Sequence, residues 1–172
     1  MRKILSLLLA MVVVLSLVAC SDAPKKETYQ PEATTQAATP KDETFGINEV
    51  AVFEDMKIVA TEITESKGDD FFNPEKGKIF VGVHFEIENT SDEEQSISSL
   101  LMFDGYVDDV KCDYSFTAAC AFDEGTLDGT ILPGKKLVGW YALEVPENWK
   151  SIELMVKSNW LSNTNAVFKF DK

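Results

Sequence analysis

The amino-acid sequence predicts an all-β protein, an antiparallel sandwich of seven to eight strands that follows a signal peptide and a disordered linker. Three observations support this prediction. The first 19 residues have the pattern of an export signal, and residues 21–44 contain no Ile, Leu, Val, Met, Phe or Trp. Residues 45–172 alternate apolar and polar positions with a period of two, and turn residues separate the alternating segments.

The N-terminus predicts export and a lipid anchor. Arg2 and Lys3 precede an apolar run, Ile4–Ala19, that is too short to cross a bilayer stably. The run ends in Leu17-Val18-Ala19-Cys20, which resembles the lipobox of bacterial lipoproteins. That resemblance implies cleavage after residue 19 and attachment of diacylglycerol to Cys20, with acyl chains such as palmitate in the membrane. A plain secretory signal that happens to end in cysteine is the alternative.

Composition indicates the domain boundaries and argues against a nucleic-acid partner. We assign residues 1–19 to the signal peptide, 20–44 to the lipidated N-terminus and flexible linker, and 45–172 to one folded domain. The net charge is -13, and Arg2 is the only arginine, so a nucleic-acid partner is not expected. Lysine supplies every other cation, which favours a Gram-positive host.

The strand pattern makes two specific predictions about the sandwich. Residues 78–89 should form a half-buried strand with His84 on its wet face, whereas residues 137–145 are apolar on both faces and should lie centrally in a sheet. A turn is expected at Asp104-Gly105. The remaining predicted strands are 47–54, 56–64, 97–104, 106–112, 151–157 and 166–170.

Several segments occur together in one order: Gly77-Lys78-Ile79-Phe80-Val81-Gly82-Val83, Ile87-Glu88-Asn89-Thr90-Ser91, Met102-Phe103-Asp104-Gly105, Leu132-Pro133-Gly134 and Gly139–Pro146. This pattern resembles the immunoglobulin-like domains of unknown function found at the ends of bacterial lipoproteins. Their fold is similar to that of the mycobacterial immunoprotective extracellular protein. The resemblance implies an immunoglobulin-like sandwich with an acyl anchor and brings no catalytic residues. Some relatives are labelled after a telomeric repeat-binding factor, which an acidic, arginine-free domain does not support.

Two cysteines remain in the folded domain once Cys20 carries lipid. Cys112 and Cys120 are close enough in sequence to close a small loop, and an exported protein is in an oxidising compartment. We therefore expect a disulfide between them. Two free buried thiols are the alternative.

The acidic region around residues 104–124 is the candidate partner-binding surface. Tyr106, Asp108, Asp109, Tyr114 and Phe116 combine aromatic anchors with negative charge, so we expect a basic partner surface. The acids of this region could also hold calcium, but their spacing does not match an EF-hand loop, and a solvated acidic loop is the preferred interpretation. No metal ligand set is assigned.

No catalytic motif is present, so we expect a protein that is not an enzyme. His84 is taken as a surface histidine, no Gly-x-Ser-x-Gly element occurs, and no motif selects a carboxylate pair. Of the adjacent Phe71 and Phe72, one is expected to plug the fold. The sequence thus predicts a non-enzymatic binding module, anchored by lipid on the extracytoplasmic face of the cell membrane, that binds an envelope protein or other envelope component without a cofactor. A solute- or metal-ion-binding lipoprotein is the alternative.

Overall fold

The structure is a computed structural model that describes residues 44–161 and 164–172. The predicted signal peptide, Cys20 and the linker up to residue 43 lie outside the described residues. Eleven strands and two short helices make up the described part. In chain order they are β1 (Thr44–Phe45), β2 (Val50–Val52), β3 (Met56–Ser66), β4 (Lys78–Asn89), β5 (Gln95–Ile97), α1 (Ser99–Met102), β6 (Phe103–Val107), β7 (Val110–Cys112), α2 (Phe116–Ala119), β8 (Gly129–Ile131), β9 (Lys136–Pro146), β10 (Ser151–Lys157) and β11 (Asn165–Asp171).

The strands form the predicted sandwich. A five-stranded sheet, β1-β11-β10-β6-β7, packs against a four-stranded sheet, β2-β3-β4-β9, while β5 and β8 pair separately. Aromatic rings fill the space between the sheets: Phe85 contacts Phe103 and Phe168 edge-on, with ring centroids 5.4 and 5.2 Å apart, and Phe103 stacks on Tyr141 at 5.0 Å. The prediction of an all-β immunoglobulin-like sandwich is confirmed. The predicted strand 97–104 is wrong over most of its length, because α1 occupies residues 99–102, and a turn between β6 and β7 interrupts the predicted strand 106–112.

β1 joins the two sheets. Thr44 and Phe45 pair in parallel with Val167 and Phe168 of β11, and the chain then crosses so that Ile47 bridges Ala60 of β3. The next segment, β2, runs antiparallel to β3. The first strand of the domain is therefore divided between the two layers.

The prediction that residues 137–145 lie centrally is wrong, because β9 is the edge strand of the four-stranded sheet. Its outer face is apolar because the segment around α2 covers it. The N–H of Ser115 donates to Ala142 O at 2.8 Å, and the N–H of Trp140 donates to Gly125 O at 3.1 Å. This segment therefore also supplies hydrogen-bond partners to backbone groups on the free edge of β9. A second, smaller apolar cluster forms beneath it from Phe80, Ala118, Ala119 and Ala142.

The predicted turn at Asp104-Gly105 is also wrong. Both residues lie within β6, and the turn falls at Asp108 and Asp109, whose φ angles are 49° and 66°. Two successive positive φ angles define a type I′ turn, which matches the twist of a two-residue hairpin. Gly105 is needed for close approach instead, since a Cβ there would lie 2.6 Å from the carbonyl oxygen of Cys112 on β7.

Candidate functional site

The five residues of the predicted partner-binding loop do not act as one exposed surface. Asp108 is part of the β6–β7 turn, and its Oδ1 accepts hydrogen bonds from the backbone N–H groups of Lys150 and Ser151, both at 2.9 Å. Asp109 follows it in the turn. Tyr106 lies on β6, with Lys111 Nζ 5.9 Å from its ring centroid. Asp108 and Tyr106 therefore have contacts within the domain, and partner binding by this loop stays a prediction.

Tyr114 and Phe116 differ in how far their aromatic rings are buried. The Tyr114 ring packs 5.4 Å from that of Tyr141, and its buried hydroxyl has no hydrogen-bond partner in the described structure. Burial raises the pKa of Tyr114 to about 12. Phe116, at the start of α2, is 69% exposed. Only Phe116 of this pair remains free to contact another molecule through its aromatic ring.

The acids of residues 104–124 are partly compensated by lysines. Asp104 forms ion pairs with Lys111 and with Lys157, the latter at 3.3 Å, and these lysines hold the pKa of Asp104 below its usual value. Within the described ranges, no group of three or more His, Cys, Asp or Glu side chains is placed to hold a metal ion. The calcium interpretation gains no support from this arrangement.

The predicted disulfide is not formed in this structure, because Cys112 and Cys120 are both free and half-buried. Cys112 lies on β7, where its Sγ is 3.8 Å from Glu144 O, whereas Cys120 follows α2. Burial raises the pKa of the Cys112 thiol, which makes it a poor nucleophile. The spacing of the cysteines in the sequence could not reveal that α2 forms between them.

Of the two adjacent phenylalanines in the β3–β4 loop, one is packed and the other is exposed, as expected. Phe72 packs against the small cluster that contains Phe80 and α2, whereas Phe71 is 87% exposed. Asp69 holds this loop, because its Oδ1 accepts from the N–H groups of Phe71 and Phe72, both at 2.7 Å. One phenylalanine is therefore structural.

A concave site that the sequence analysis missed lies on the outer face of the four-stranded sheet. We call it the His84 cleft; it has a volume of about 540 Å³ and is lined by Thr61, Glu62, His84, Ala121, Phe122, Asp123, Glu124 and Trp140. β3, β4 and β9 supply its floor, and the segment after α2 supplies its wall. His84 lies on the outer face of β4, as the alternation predicts, but it is not an open surface residue, since its side chain is only 16% exposed.

Both ring nitrogens of His84 are hydrogen-bonded. Nδ1 lies 2.5 Å from Thr61 Oγ1, and Nε2 lies 2.9 Å from Glu124 Oε2. A neutral ring satisfies both contacts if Nε2–H donates to the carboxylate and Nδ1 accepts from the hydroxyl. Thr61 reaches the ring because the register of β3 against β4 shifts between Ala60 and Glu62, and such a bulge redirects a side chain.

Two aromatic rings form the apolar wall of the cleft. Phe122 stacks on Trp140 with centroids 5.0 Å apart, and the edge of His84 meets Trp140 at 4.8 Å. Gly82 on β4 makes room for them, because a Cβ there would lie 2.9 Å from both rings. Gly139 on β9 similarly admits the backbone of Thr126, which a Cβ would meet at 3.0 Å.

These glycines are the sequence signal that could have revealed the cleft. A glycine inside a strand weakens it and often marks the close approach of another backbone or a ligand. Gly82 lies on the outer face of β4 beneath the two rings, whereas Gly139 pairs with the core residue Phe85 and lies where the backbone of Thr126 meets the edge of β9. The alternation pattern alone instead placed His84 on an open, wet face.

Three carboxylates surround the aromatic wall. Glu62, Asp123 and Glu124 are exposed, and no ion pair with a lysine involves any of them in the described part of the chain. Elsewhere, Asp104, Glu86 and Glu153 do pair with lysines. Glu124 has a φ of 72°, a strained conformation for a residue with a side chain. The cleft therefore combines uncompensated negative charge with an apolar wall.

A larger depression lies among three loops, with a volume of about 770 Å³. The loops after β2, β4 and β10 line it, and its side chains include Phe53, Glu54, Asp55, Asp92 and Glu93. It has no stacked aromatic pair and no histidine. Separately, no helix in residues 44–161 or 164–172 has the length and apolar character needed to span a bilayer.

Comparison with known proteins gives a family and a set of similar folds. The family described as "Domain of unknown function (DUF4352)" matches residues 45–167. No curated protein matches the chain significantly. A candidate lipoprotein of Bacillus subtilis, ycdA, aligns with a TM-score of 0.59 at 15% identity over 71% of this chain, but only 38% of its own chain is covered. This chain thus spans little more than a third of that protein.

Two further structures align over most of their own length. The secreted protein MPT63 of Mycobacterium tuberculosis has a TM-score of 0.53 at 8% identity, over 78% of this chain and all of its own. A candidate lipoprotein of Staphylococcus aureus has a TM-score of 0.51 at 17% identity, over 72% and 88% of the two chains. At such identities the likeness establishes the fold alone.

Proposed function

The chain belongs to the DUF4352 family, and from this premise we propose that it is a lipid-anchored lipoprotein on the extracytoplasmic face of the cell membrane. Structural similarity to candidate lipoproteins supports a cell-envelope protein. The lipobox-like Leu17-Val18-Ala19-Cys20 supports the anchor, with diacylglycerol on Cys20 and a flexible linker before the domain. Two or more acyl chains hold a protein durably at a bilayer.

We further propose that the domain is not an enzyme and binds an envelope component in the His84 cleft. The observation that carries this proposal is the cleft itself: a concave surface where an aromatic wall meets a histidine fixed at both ring nitrogens. Binding sites in proteins commonly join an apolar wall to a few oriented polar groups. The alternative of a solute-binding lipoprotein uses the same cleft with a smaller ligand.

Site-specific crosslinking in intact cells tests this proposal. A photoreactive phenylalanine analogue at Phe122, in the cleft, should capture an envelope component that mass spectrometry can identify. The same analogue at Phe116 is the matched control, because Phe116 is exposed on α2 and does not line the cleft. Equal capture from both positions, or capture from position 116 alone, would contradict binding in the cleft.

The hydrogen bonds of Thr61, His84 and Glu124 favour a second candidate function, a hydrolase with Thr61 as nucleophile. A neutral His84 ring that donates to Glu124 could accept the Thr61 proton at Nδ1. Attack on a carbonyl, however, develops negative charge on oxygen, which the surrounding carboxylates would destabilise. We therefore rank hydrolysis below binding. Hydrolysis of p-nitrophenyl acetate that Thr61→Val abolishes would reverse this order.

A further inference from the structure

We propose that the His84 cleft recognises the ammonium group of an organic cation. This inference rests on the proposed binding function and adds the chemical class of the ligand. It combines two separate features of the cleft, the charge of its rim and the chemistry of its wall. Neither feature alone would select a cation over a neutral apolar ligand.

The charge of the rim excludes an anionic ligand. Glu62 and Asp123 have no ion-pair partner in the described structure, and Glu124 contacts only the His84 ring among charged groups. An anion entering a cleft with three carboxylates would be repelled at short range, where water screens the charges less than in bulk. A cation entering there would reduce that repulsion.

The wall distinguishes an organic cation from a metal ion. Divalent cations require several converging oxygen or nitrogen ligands, and the described residues hold no such group of three or more. Phe122 instead presents aromatic carbon beside the carboxylates and is stacked on Trp140, which is 9% exposed. A cation within about 6 Å of an aromatic ring is attracted by the ring's quadrupole, and alkylammonium groups lose water more readily than metal ions.

His84 positions the carboxylate that would face the ligand. Its Nε2–H donates to Glu124 Oε2, while Thr61 holds Nδ1 on the other side of the ring. The ring is thereby held in alignment, and one Glu124 oxygen remains free for an ammonium N–H or N–CH₃ group. His84 and Thr61 act as positioning residues in this arrangement.

A pair of isosteric probes tests the proposal on the detergent-solubilised full chain. Choline and 3,3-dimethylbutan-1-ol have the same shape, but only choline carries a positive nitrogen. N-acetyl-lysine methylamide adds a primary amine in a peptide context, which distinguishes a peptide ligand from a free quaternary solute. Binding is measured by calorimetry and by NMR shifts of the Trp140 indole and the His84 ring.

We expect at least one of the two cations to bind about tenfold more tightly than the neutral isostere. Glu62→Gln with Asp123→Asn should reduce that preference, because two of the three rim charges are lost, without breaking the His84–Glu124 hydrogen bond. The matched control is Asp70→Asn with Glu147→Gln, which changes the net charge equally at exposed positions outside the cleft. The control pair should leave the preference unchanged.

Three results would overturn the inference: neutral and cationic probes that bind equally, an effect of the control pair equal to that of the cleft pair, or no cation that shifts the cleft resonances. Crosslinking from position 122 separates this failure from failure of the proposed function. If an envelope component is captured there although no cation binds, the cleft is a binding site for a different ligand class. If neither occurs, both proposals are wrong.

Discussion

Gly82 is the residue on which the covered outer face most clearly depends. It has no side chain, so Phe122 and Trp140 can lie directly on β4, and an added Cβ would approach both rings to 2.9 Å. Close packing of this kind tolerates little added volume, because neighbouring side chains must leave their preferred rotamers. The positions of the two rings in the cleft wall therefore depend on there being no methyl group at residue 82.

Gly82→Ala should lower the free energy of unfolding by about 1–3 kcal/mol, because the new methyl group overpacks against the two rings. Urea denaturation measures this change. Gly46→Ala is the control, since a Cβ there would make only an ordinary contact, 3.6 Å from Glu49 Oε2. We expect the control to change stability by less than about 0.5 kcal/mol. Similar losses at both positions would mean that Gly82 has no special packing role.

The buried Tyr114 should make the free energy of unfolding depend on pH in the alkaline range. Burial raises its pKa to about 12, whereas a tyrosine in the unfolded chain ionises near pH 10. Between these values the unfolded state loses a proton that the folded state keeps, so the free energy of unfolding should fall as pH rises. Tyr114→Phe should make this decline shallower in urea denaturation at pH 8, 10 and 11.

At neutral pH the same variant should be as stable as the parent or more stable, because the Tyr114 hydroxyl is buried without a partner. A marked loss of stability in Tyr114→Phe would mean that the hydroxyl makes a favourable contact, for example with an ordered water. An unchanged alkaline slope would mean that the phenol is solvated in the folded state.

At the scale of elements, the β6–β7 hairpin joins two loops at one end of the sandwich. Asp108 adopts a positive φ and accepts two backbone hydrogen bonds from the segment that leads into β10. Asp109 contributes only its conformation to the turn, at φ 66°. The two neighbouring aspartates therefore have different roles, although the sequence suggests a single acidic patch.

Opposite stability changes are expected at these two aspartates. Asp108→Ala should lower the free energy of unfolding by about 1–3 kcal/mol, because a charged acceptor of two N–H groups is lost. Asp109→Gly should raise it by a few tenths to about 1 kcal/mol, because glycine adopts this φ without strain. Thermal and urea denaturation of the two variants measures both. A loss at Asp109→Gly as large as that at Asp108→Ala would refute this division.

The sequence predicted where strands form better than it predicted where each strand lies in its sheet. Alternation located β3, β4, β9, β10 and β11, because a residue's own side chains decide which face is apolar. It could not tell a central strand from an edge strand covered by a helix, since both are apolar on two faces, and β9 was misplaced for that reason. The His84 cleft escaped prediction because Thr61, His84 and Glu124 are distant in sequence, and only the fold brings them together.

At the scale of the whole molecule, the domain is strongly acidic and is proposed to act at a membrane. Residues 45–172 contain 24 acidic residues and 11 lysines, a charge that disfavours contact with anionic lipid surfaces. Any membrane association would then depend on the proposed lipid and not on the domain. In this proposal, the lipid anchor alone determines whether the protein is found at the membrane.

Cys20→Ser should therefore move the protein from the detergent phase to the aqueous phase or the medium. This variant lacks the thiol that is proposed to receive diacylglycerol, and the acidic domain supplies no comparable attraction. Detergent phase partitioning with immunoblotting measures the change. The matched variant Cys112→Ser, within the folded domain, should partition as the parent does. If Cys20→Ser also partitions as the parent does, the lipoprotein assignment is wrong.

The path of β1 determines how the domain would respond to mechanical load. Thr44 and Phe45 run parallel to β11, so a pull directed along β1 would load the hydrogen bonds between the two strands in shear. Hydrogen bonds pulled along a strand share the force, whereas bonds pulled across it break one after another. The crossing to the second sheet, at Ile47 and Ala60, adds another point of resistance behind the first. A pull along β1 would thus load hydrogen bonds in both sheets, since the first residues of the domain pair with β11 and then with β3.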